Sequence, residues 1–284
     1  MVASSPPASV PPPSAPRSWR APPPPPTVRA LGLLSAFLMQ LGEVALLAKN
    51  CVRAFFRKPF EGREIVRQFE SLGVASLGIV VVTSLFIGMV MSTQFAFGLR
   101  KFGGMEYTGR VVALTFAREL APTLTAVIVG GRIGAGMTAE IGAMAVTEQL
   151  EAIRALGADP VKKLVLPRLI ASIFVLPIVG TFALILGFTG AMLITDAQFG
   201  IPRAFFFQSA LDQLVLMDYL MGLVKTPVFG AIIALLGCYF GMTTRGGTAG
   251  VGRSTTKTVV AISITILIAD FFLTKLVFIF WGIV

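Results

Sequence analysis

The sequence predicts an all-α integral membrane protein with about five transmembrane helices, an amino-terminal interfacial helix and a short cytoplasmic helix between two of the spans. Of its 284 residues, 55% are hydrophobic and only 13% are charged, and its mean hydropathy is +0.83. Soluble domains carry about 25% charged residues. Apolar stretches long enough to cross a hydrocarbon core of ~30 Å also recur along the chain after Leu72. Lipid is therefore the expected solvent.

Two regions precede the first clear span. Residues 1–28 consist almost entirely of Pro, Ala, Ser and Val with a few Arg, and this composition predicts a disordered tail. In residues 29–70, apolar positions recur at spacings of three and four over 31–48, which predicts an interfacial helix, although a short span stays possible. Residues 50–60 mix basic and aromatic side chains, as expected at an anionic leaflet or in an ordinary basic flank. Residues 71–284 form the predicted transmembrane domain.

Hydropathy places the spans at residues 73–93, 109–131, 169–194, 219–241 and 259–283. Basic residues concentrate before the first span, between the second and third, and between the fourth and fifth. By the positive-inside rule these segments and the amino terminus face the cytoplasm, and the carboxyl terminus faces the periplasm. Arg100, Lys101 and Arg110 weaken this bias. The rule also explains most of the net charge of +10, so no nucleic-acid partner is predicted.

Several kinds of chemistry lack the residues they need. The chain has no His, which removes the commonest proton shuttle and metal ligand. Cys51 and Cys238 lie in a basic flank and in a span, so we interpret both as packing residues. The glycine-rich segments 130–136 and 250–257 follow membrane helices rather than strands, and we interpret 130–136 as close helix packing. No cofactor is expected on this chain, and any ATP must be hydrolysed by a partner.

Charged residues within the spans are candidates for a polar substrate cavity, because each costs at least ~2.5 kcal/mol to insert. The second span contains Arg118 and Glu119, which lie about 100° apart on a helix and are expected to contact different elements. Pro122 follows and favours a kink. Lys225 lies in the fourth span. A buried structural ion pair, or a side chain that extends to the headgroups, is an equally good interpretation for Glu119 and Lys225 and a better one for Asp270 and Lys275. Gln94 is a weaker candidate.

Residues 147–160, between the second and third spans, predict a short amphipathic helix on the cytoplasmic side. Its apolar stripe consists of Leu150, Ile153 and Leu156. Its polar face consists of Glu148, Glu151 and Arg154. Gly157 is expected to stop the helix, and Pro160 to prevent its immediate resumption. A helical connector resting on the membrane is the alternative.

The same segment carries a resemblance to known transporters. Glu151, Ala152, Gly157 and Leu166-Pro167 are similar to the EAA loop by which ABC-transporter permeases dock their ATPases, although Ile153 replaces the second Ala and the Gly-to-Pro spacing is shorter. More specifically, four motifs in order resemble the MlaE (YrbE) permease family from about Leu31 to the end: AREL-AP at 117–122, TAEIG at 138–142, TEQL at 147–150 and STTKTVV at 254–260.

This resemblance implies a homodimeric permease of a phospholipid-trafficking ABC transporter in the bacterial inner membrane. Its implied partners are an MlaF-type ATPase, which binds ATP and magnesium, and an MlaD-type MCE subunit that forms a periplasmic ring. The resemblance implies that Glu119 lies near the substrate cavity. Lys225 is a weaker candidate from its position in a span, and Arg118 and Gln94 are further candidates from theirs. The implied coupling helix comprises Glu148, Glu151, Arg154, Leu156 and Gly157.

An ion-coupled secondary transporter of a lipophilic substrate is the main alternative, because charges in three spans can also form an ion path. Against it are the odd number of spans and the lack of a visible inverted repeat. An intramembrane enzyme is disfavoured by the lack of a catalytic constellation, and a purely structural scaffold would not need these charges.

Overall fold

A computed structural model describes residues 26–56 and 62–280, and within them every regular element is helical. This confirms the predicted fold class. The first helix, α1, spans Pro26–Phe55 and includes the predicted helix at 31–48. Its residues up to Gly42 belong to one unit, and those from Glu43 belong to a second unit that contains all the other helices. Most of the predicted tail lies outside the described residues.

Five helical segments of this second unit are long and apolar enough to cross a membrane, which confirms the number and order of the predicted spans. The segments are Gly62–Arg100, Met105–Val146, Val161–Phe199, Leu216–Met242 and Gly247–Phe280. Most extend beyond the apolar window that predicted them. Helical backbone bonding continues into the flanks, where only the side chains become polar.

The helices are numbered in chain order. They are α2 (Gly62–Arg100), α3 (Thr108–Thr115), α4 (Ala121–Val146), α5 (Gln149–Ala155), α6 (Leu166–Phe199), α7 (Arg203–Leu211), α8 (Leu216–Met242) and α9 (Gly247–Phe280). A π-helical turn, Phe116–Leu120, joins α3 to α4, and a second, Val161–Val165, precedes α6. Because α5 and α7 lie in connections on opposite sides, we refer to the α5 end and the α7 end of the bundle.

Small residues let the helices approach closely. The buried side of α2 has Ser76, Ser84, Gly88 and Ser92 at intervals of four or eight residues, and a methyl group on Gly88 would overlap the backbone of Gly187 in α6. Close contact between membrane helices depends on such residues.

Helix α4 packs against α8 and α9 in the same way. A Cβ on Gly130 would lie 2.6 Å from Ile233 Cδ1, and one on Gly134 would overlap Ile262. The packing interpretation of the glycine-rich segment is therefore confirmed at these positions. It is wrong for Gly136, which has open space beside it. Close packing brings α4, α8 and α9 together around the polar residues described next.

Candidate functional site

Lys225 of α8 is the centre of a polar cluster inside the apolar bundle. Its side chain is only 2% exposed. Its Nζ donates hydrogen bonds to Glu119 Oε2 at 2.7 Å, to Thr274 Oγ1 at 2.6 Å and to Asp270 Oδ1 at 3.2 Å. One ammonium group thus faces two carboxylates, and it joins α8 to α9 and to the π-turn before α4.

The π-turn explains why an ammonium group fits here. Pro122 has no N–H to donate to the carbonyl of Arg118 four residues earlier, and the N–H of Ala121 bonds to Phe116, five residues back. Lys225 Nζ donates to the Arg118 carbonyl oxygen at 3.2 Å. A π-helical turn therefore lies just before Pro122, and Lys225 supplies a donor to the carbonyl that Pro122 leaves without one; the kink itself stays a prediction.

Arg118 and Glu119 both contact α8, so the prediction that they reach different elements is wrong for α8, although only the Glu119 side chain also contacts α9, through Thr274. Arg118 Nε donates to Asp218 Oδ1 at 2.8 Å, whereas Glu119 contacts Lys225 two turns further along α8. Helix α8 runs past the π-turn, so the two side chains contact α8 at two positions along its length. Asp218 Oδ2 also accepts the Val215 N–H at 3.0 Å and so caps α8.

The cluster opens towards the surface on the side of the π-turn. Glu119 is 36% exposed although Lys225 is buried, and Arg118 is also partly exposed. A shallow, mostly apolar pocket lies beside the turn and is lined in part by Pro122 and Gly222. The site therefore combines a neutralised interior cation with a carboxylate and a guanidinium group that an external molecule can reach.

Sequence reasoning missed some members of this cluster. Thr274 donates to Glu119 Oε1 at 3.2 Å, and only its position four residues after Asp270 on α9 could have indicated it. Asp218 directly precedes the predicted fourth span at 219–241, so its position indicated no partner in the second span. Lys275 lies outside the cluster, with its Nζ 5.3 Å from the centre of the Phe271 ring.

Gln94 is not brought to the cluster. It is exposed on α2, two residues from Ser92, whose hydroxyl hydrogen-bonds Thr195 in the last turns of α6. This position lies at the α7 end of the bundle.

The predicted coupling segment forms a short helix that presents one leucine to solvent. Glu148 precedes α5 with φ +60°, and Gly157 follows it with φ +75°. Leu150 is buried, but Leu156 is 85% exposed because α5 ends at Ala155 and the next residue leaves the helical stripe. Of the three residues of the predicted apolar stripe, Leu150 is therefore buried, Ile153 is half-buried and Leu156 is exposed.

The polar side of this segment and its exit are also described. Glu151 and Arg154 form an exposed ion pair at 2.9 Å. Helical structure resumes at Pro160, contrary to the prediction, because proline is well suited to a first helical position. The carboxylate of Asp159 accepts the Val161 N–H at 2.9 Å and caps this next helical segment.

Both cysteines are buried free thiols, which confirms their interpretation as packing residues. Burial, and to a smaller extent the nearby charge of Asp159, raise the pKa of the Cys51 thiol to about 11. The thiol is therefore protonated and poorly reactive near neutral pH.

Comparison with known proteins agrees with these features. The family model described as Permease MlaE matches residues 65–276. The chain is 39% identical over 235 residues to Protein TRIGALACTOSYLDIACYLGLYCEROL 1, chloroplastic, of Arabidopsis thaliana, covering 83% of this chain and 67% of that protein. It is 42% identical over 216 residues to a probable ABC transporter permease protein of Synechocystis, covering 76% and 82%. A similarly named protein of Rickettsia typhi is 37% identical over 242 residues, covering 85% and 93%. The chain belongs to the MlaE family of ABC-transporter permeases.

Proposed function

We propose that this chain is the non-catalytic membrane subunit of an ABC transporter that moves phospholipid between the bacterial inner membrane and a periplasmic ring of MCE protein. Membership of a permease family supports an ATP-driven system and leaves the ion-coupled carrier without support. The name of the chloroplast relative is that of a galactolipid, which supports a lipid as the substrate.

The Lys225 cluster is the observation that carries the assignment of a substrate site. Glu119 and Arg118 reach the surface from a π-turn beside an apolar pocket. A lipid headgroup offers charges for these two side chains, and an acyl chain offers apolar surface for the pocket. The pocket of one chain is shallow, and we propose that a second copy of the chain completes the cavity. Gln94 would then contact only a part of the lipid distant from Lys225.

The α5 segment is the proposed contact with the ATPase. Leu156 offers an apolar side chain that the described residues leave exposed, and the Glu148, Glu151 and Arg154 side chains surround it with charge. Gly157, with φ +75°, forms the turn that follows Leu156. The partner would be an MlaF-type subunit, which binds ATP and magnesium. This places the α5 end and the amino terminus in the cytoplasm, and the carboxyl terminus in the periplasm.

The first experiment is to purify the tagged chain from its native membrane in mild detergent and to identify the co-purifying proteins by mass spectrometry. We expect an ATPase subunit and an MCE protein in stoichiometric amounts. The variant Leu156→Asp should lose the ATPase, whereas Leu216→Asp should retain it, because Leu216 is 71% exposed but lies at the α7 end. A chain that reproducibly purifies alone would contradict the proposed assembly.

The lipid assignment has a separate test. Phospholipid that co-purifies with the complex can be extracted and quantified by mass spectrometry. The double variant Arg118→Gln with Glu119→Gln should retain several-fold less phospholipid while the ATPase still co-purifies. Unchanged phospholipid in this variant would contradict a role of the cluster in binding the substrate.

A further inference from the structure

A buried ion pair joins the two helices that carry the α5 segment, residues 147–160. Arg168, in the first turn of α6, has a side chain that is only 3% exposed, and its Nη2 lies 2.7 Å from Glu140 Oε1 of α4. Its Nη1 donates a hydrogen bond of 2.7 Å to the Leu164 carbonyl oxygen in the π-turn Val161–Val165. One guanidinium group thus holds α4, this π-turn and the start of α6 together.

The ion pair lies at the base of the α5 segment. Glu140 is six residues before the end of α4 at Val146, where the chain leaves for the segment. Arg168 is three residues beyond the π-turn by which the chain returns. The outgoing and returning parts of the chain are therefore fixed to each other, and the segment beyond them is mostly exposed.

Stability alone does not explain this pair. Taking a guanidinium group out of water is costly, and an apolar pair of similar volume is often at least as stable. The Nε of Arg168 is also buried, and it has no hydrogen-bond partner among the described residues. Glu140 is 59% exposed, and exposed carboxylates contribute little to stability. The buried charge therefore indicates a role in holding a defined arrangement.

The same arrangement occurs at the Lys225 cluster. In both places an α-helix with proline as its second residue follows a five-residue π-turn, and the N–H of its first residue bonds to the first residue of that turn. In both, a buried cation donates to a carbonyl oxygen of the turn. Each cation also contacts a carboxylate, Glu119 for Lys225 and Glu140 for Arg168. Helices bend at π-turns, and here a cation fixes each one.

Helix α4 extends from one arrangement to the other. It begins at Ala121, directly after the turn that carries Glu119, and Glu140 follows 19 residues later, about 28 Å along the helix axis. A displacement of the α5 segment would bend the chain at the nearer π-turn if nothing fixed that turn. With Arg168 bound to both Leu164 and Glu140, the segment and α4 should move together.

We propose that Arg168 is a positioning residue for coupling. With Glu140 it makes the base of the α5 segment rigid, so that a movement imposed on the segment by the ATPase is transmitted along α4 to the Lys225 cluster. This inference rests on the proposed function, in which the ATPase contacts the α5 segment. Because Arg168 is buried, its replacement should weaken transmission without removing a surface contact.

The test measures ATP hydrolysis and lipid transfer in the same purified transporter complex. Nanodiscs that hold the complete complex contain a trace of fluorescent phosphatidylethanolamine. After ATP is added, the MCE subunit is separated, and the label that it has gained or lost is quantified together with the phosphate released. The lipid transferred per ATP hydrolysed is the coupling ratio.

The main variant is Arg168→Met with Glu140→Gln, which leaves neither charge unpaired in the interior. It should retain the ATPase subunit and hydrolyse ATP, but its coupling ratio should fall by at least about fivefold, the lower limit of typical coupling between sites. Its unfolding temperature should change by less than about 4 °C, which separates lost transmission from lost folding. Glu140→Gln alone, a change at a largely exposed side chain, should lower the ratio in the same direction.

The matched control is Arg203→Met with Asp196→Asn. This variant removes another arginine–carboxylate pair of 2.7 Å, which lies at the α7 end of the bundle. Its coupling ratio should equal that of the unmodified complex.

Three results would overturn the role of Arg168 alone. They are an unchanged coupling ratio in the double variant, an equal fall in the control, and loss of the ATPase subunit from the folded double variant. If the double variant does not fold, an unchanged ratio in Glu140→Gln has the same meaning. In each case the unmodified complex still transfers lipid, so the proposed function stands. ATP hydrolysis without lipid transfer by the unmodified complex would instead contradict the proposed function, and this inference with it.

Discussion

Replacing Lys225 with Met would remove the one cation of the buried cluster while keeping a side chain of similar length. The carboxylates of Glu119 and Asp270 would then face one another without a positive charge, and the Arg118 carbonyl would lose the donor that replaces the missing N–H of Pro122. Removing one partner of a buried ion pair costs about 3–5 kcal/mol. Because Glu119 is 36% exposed, we expect the lower limit, about 3 kcal/mol.

A double-mutant cycle isolates this interaction. Glu119→Gln alone leaves Lys225 paired with Asp270, so it should cost less than about 1.5 kcal/mol, the net value of a hydrogen bond. In the Lys225→Met background the same change removes one of two repelling carboxylates. The double variant should therefore be more stable than the sum of the single effects predicts, by at least about 1 kcal/mol.

The free energy of unfolding can be measured by circular dichroism in mixed micelles with increasing denaturing detergent. Lys275→Met is the matched control, because Lys275 has its contact with the Phe271 ring and lies outside the cluster; it should cost less than about 1 kcal/mol. An effect of Lys225→Met no larger than that of the control, or additive effects in the cycle, would refute this account of the cluster.

Other changes test other parts of the structure. Gly222→Ala should destabilise the bundle by more than about 2 kcal/mol, because the methyl group would overlap a carbonyl oxygen of the π-turn. Gly136→Ala should not destabilise it, because open space lies beside Gly136. A thermal-shift assay compares the two variants. Alkylation of Cys51 should be slow at pH 8, because a thiol of pKa about 11 is then ionised to only about one part in a thousand. The alkylation rate should rise about tenfold per pH unit. Fast labelling at pH 7 would contradict the burial of this thiol. Glu151→Lys should lower ATPase activity coupled to transport. It should lower the free energy of unfolding by no more than about 1 kcal/mol, because the ion pair of Glu151 with Arg154 is exposed. Unchanged coupling would oppose the proposed contact.

Hydropathy was sufficient to predict how many helices cross the membrane, and in what order, because the cost of placing charges in lipid dominates every other term. It could not predict where these helices end. Helix α2 begins at Gly62, well before the predicted span at 73–93, since a helix can carry Arg63 and Arg67 once it has left the lipid. The short helix α7 lies outside every predicted element, because an isolated stretch of that length has no distinctive period.

Only the part of the candidate site that lies within one short stretch of sequence was predictable. The sequence of Arg118, Glu119 and Pro122 indicates a break in a polar helix, and the structure has one. The partners of these residues come from α8 and α9, about a hundred or more positions away, and depend on how closely packed helices align.

The contacts of Lys225 constrain how the bundle can move. A single nitrogen joins α8 and α9 to the turn before α4, so a slip of α8 by even one residue, about 1.5 Å, would stretch these bonds together rather than one after another. These three helices should therefore behave as one rigid block. Any rearrangement that opens or closes a lipid pathway would then move α2 and α6, which pack closely against each other at Gly88 and Gly187, relative to this block.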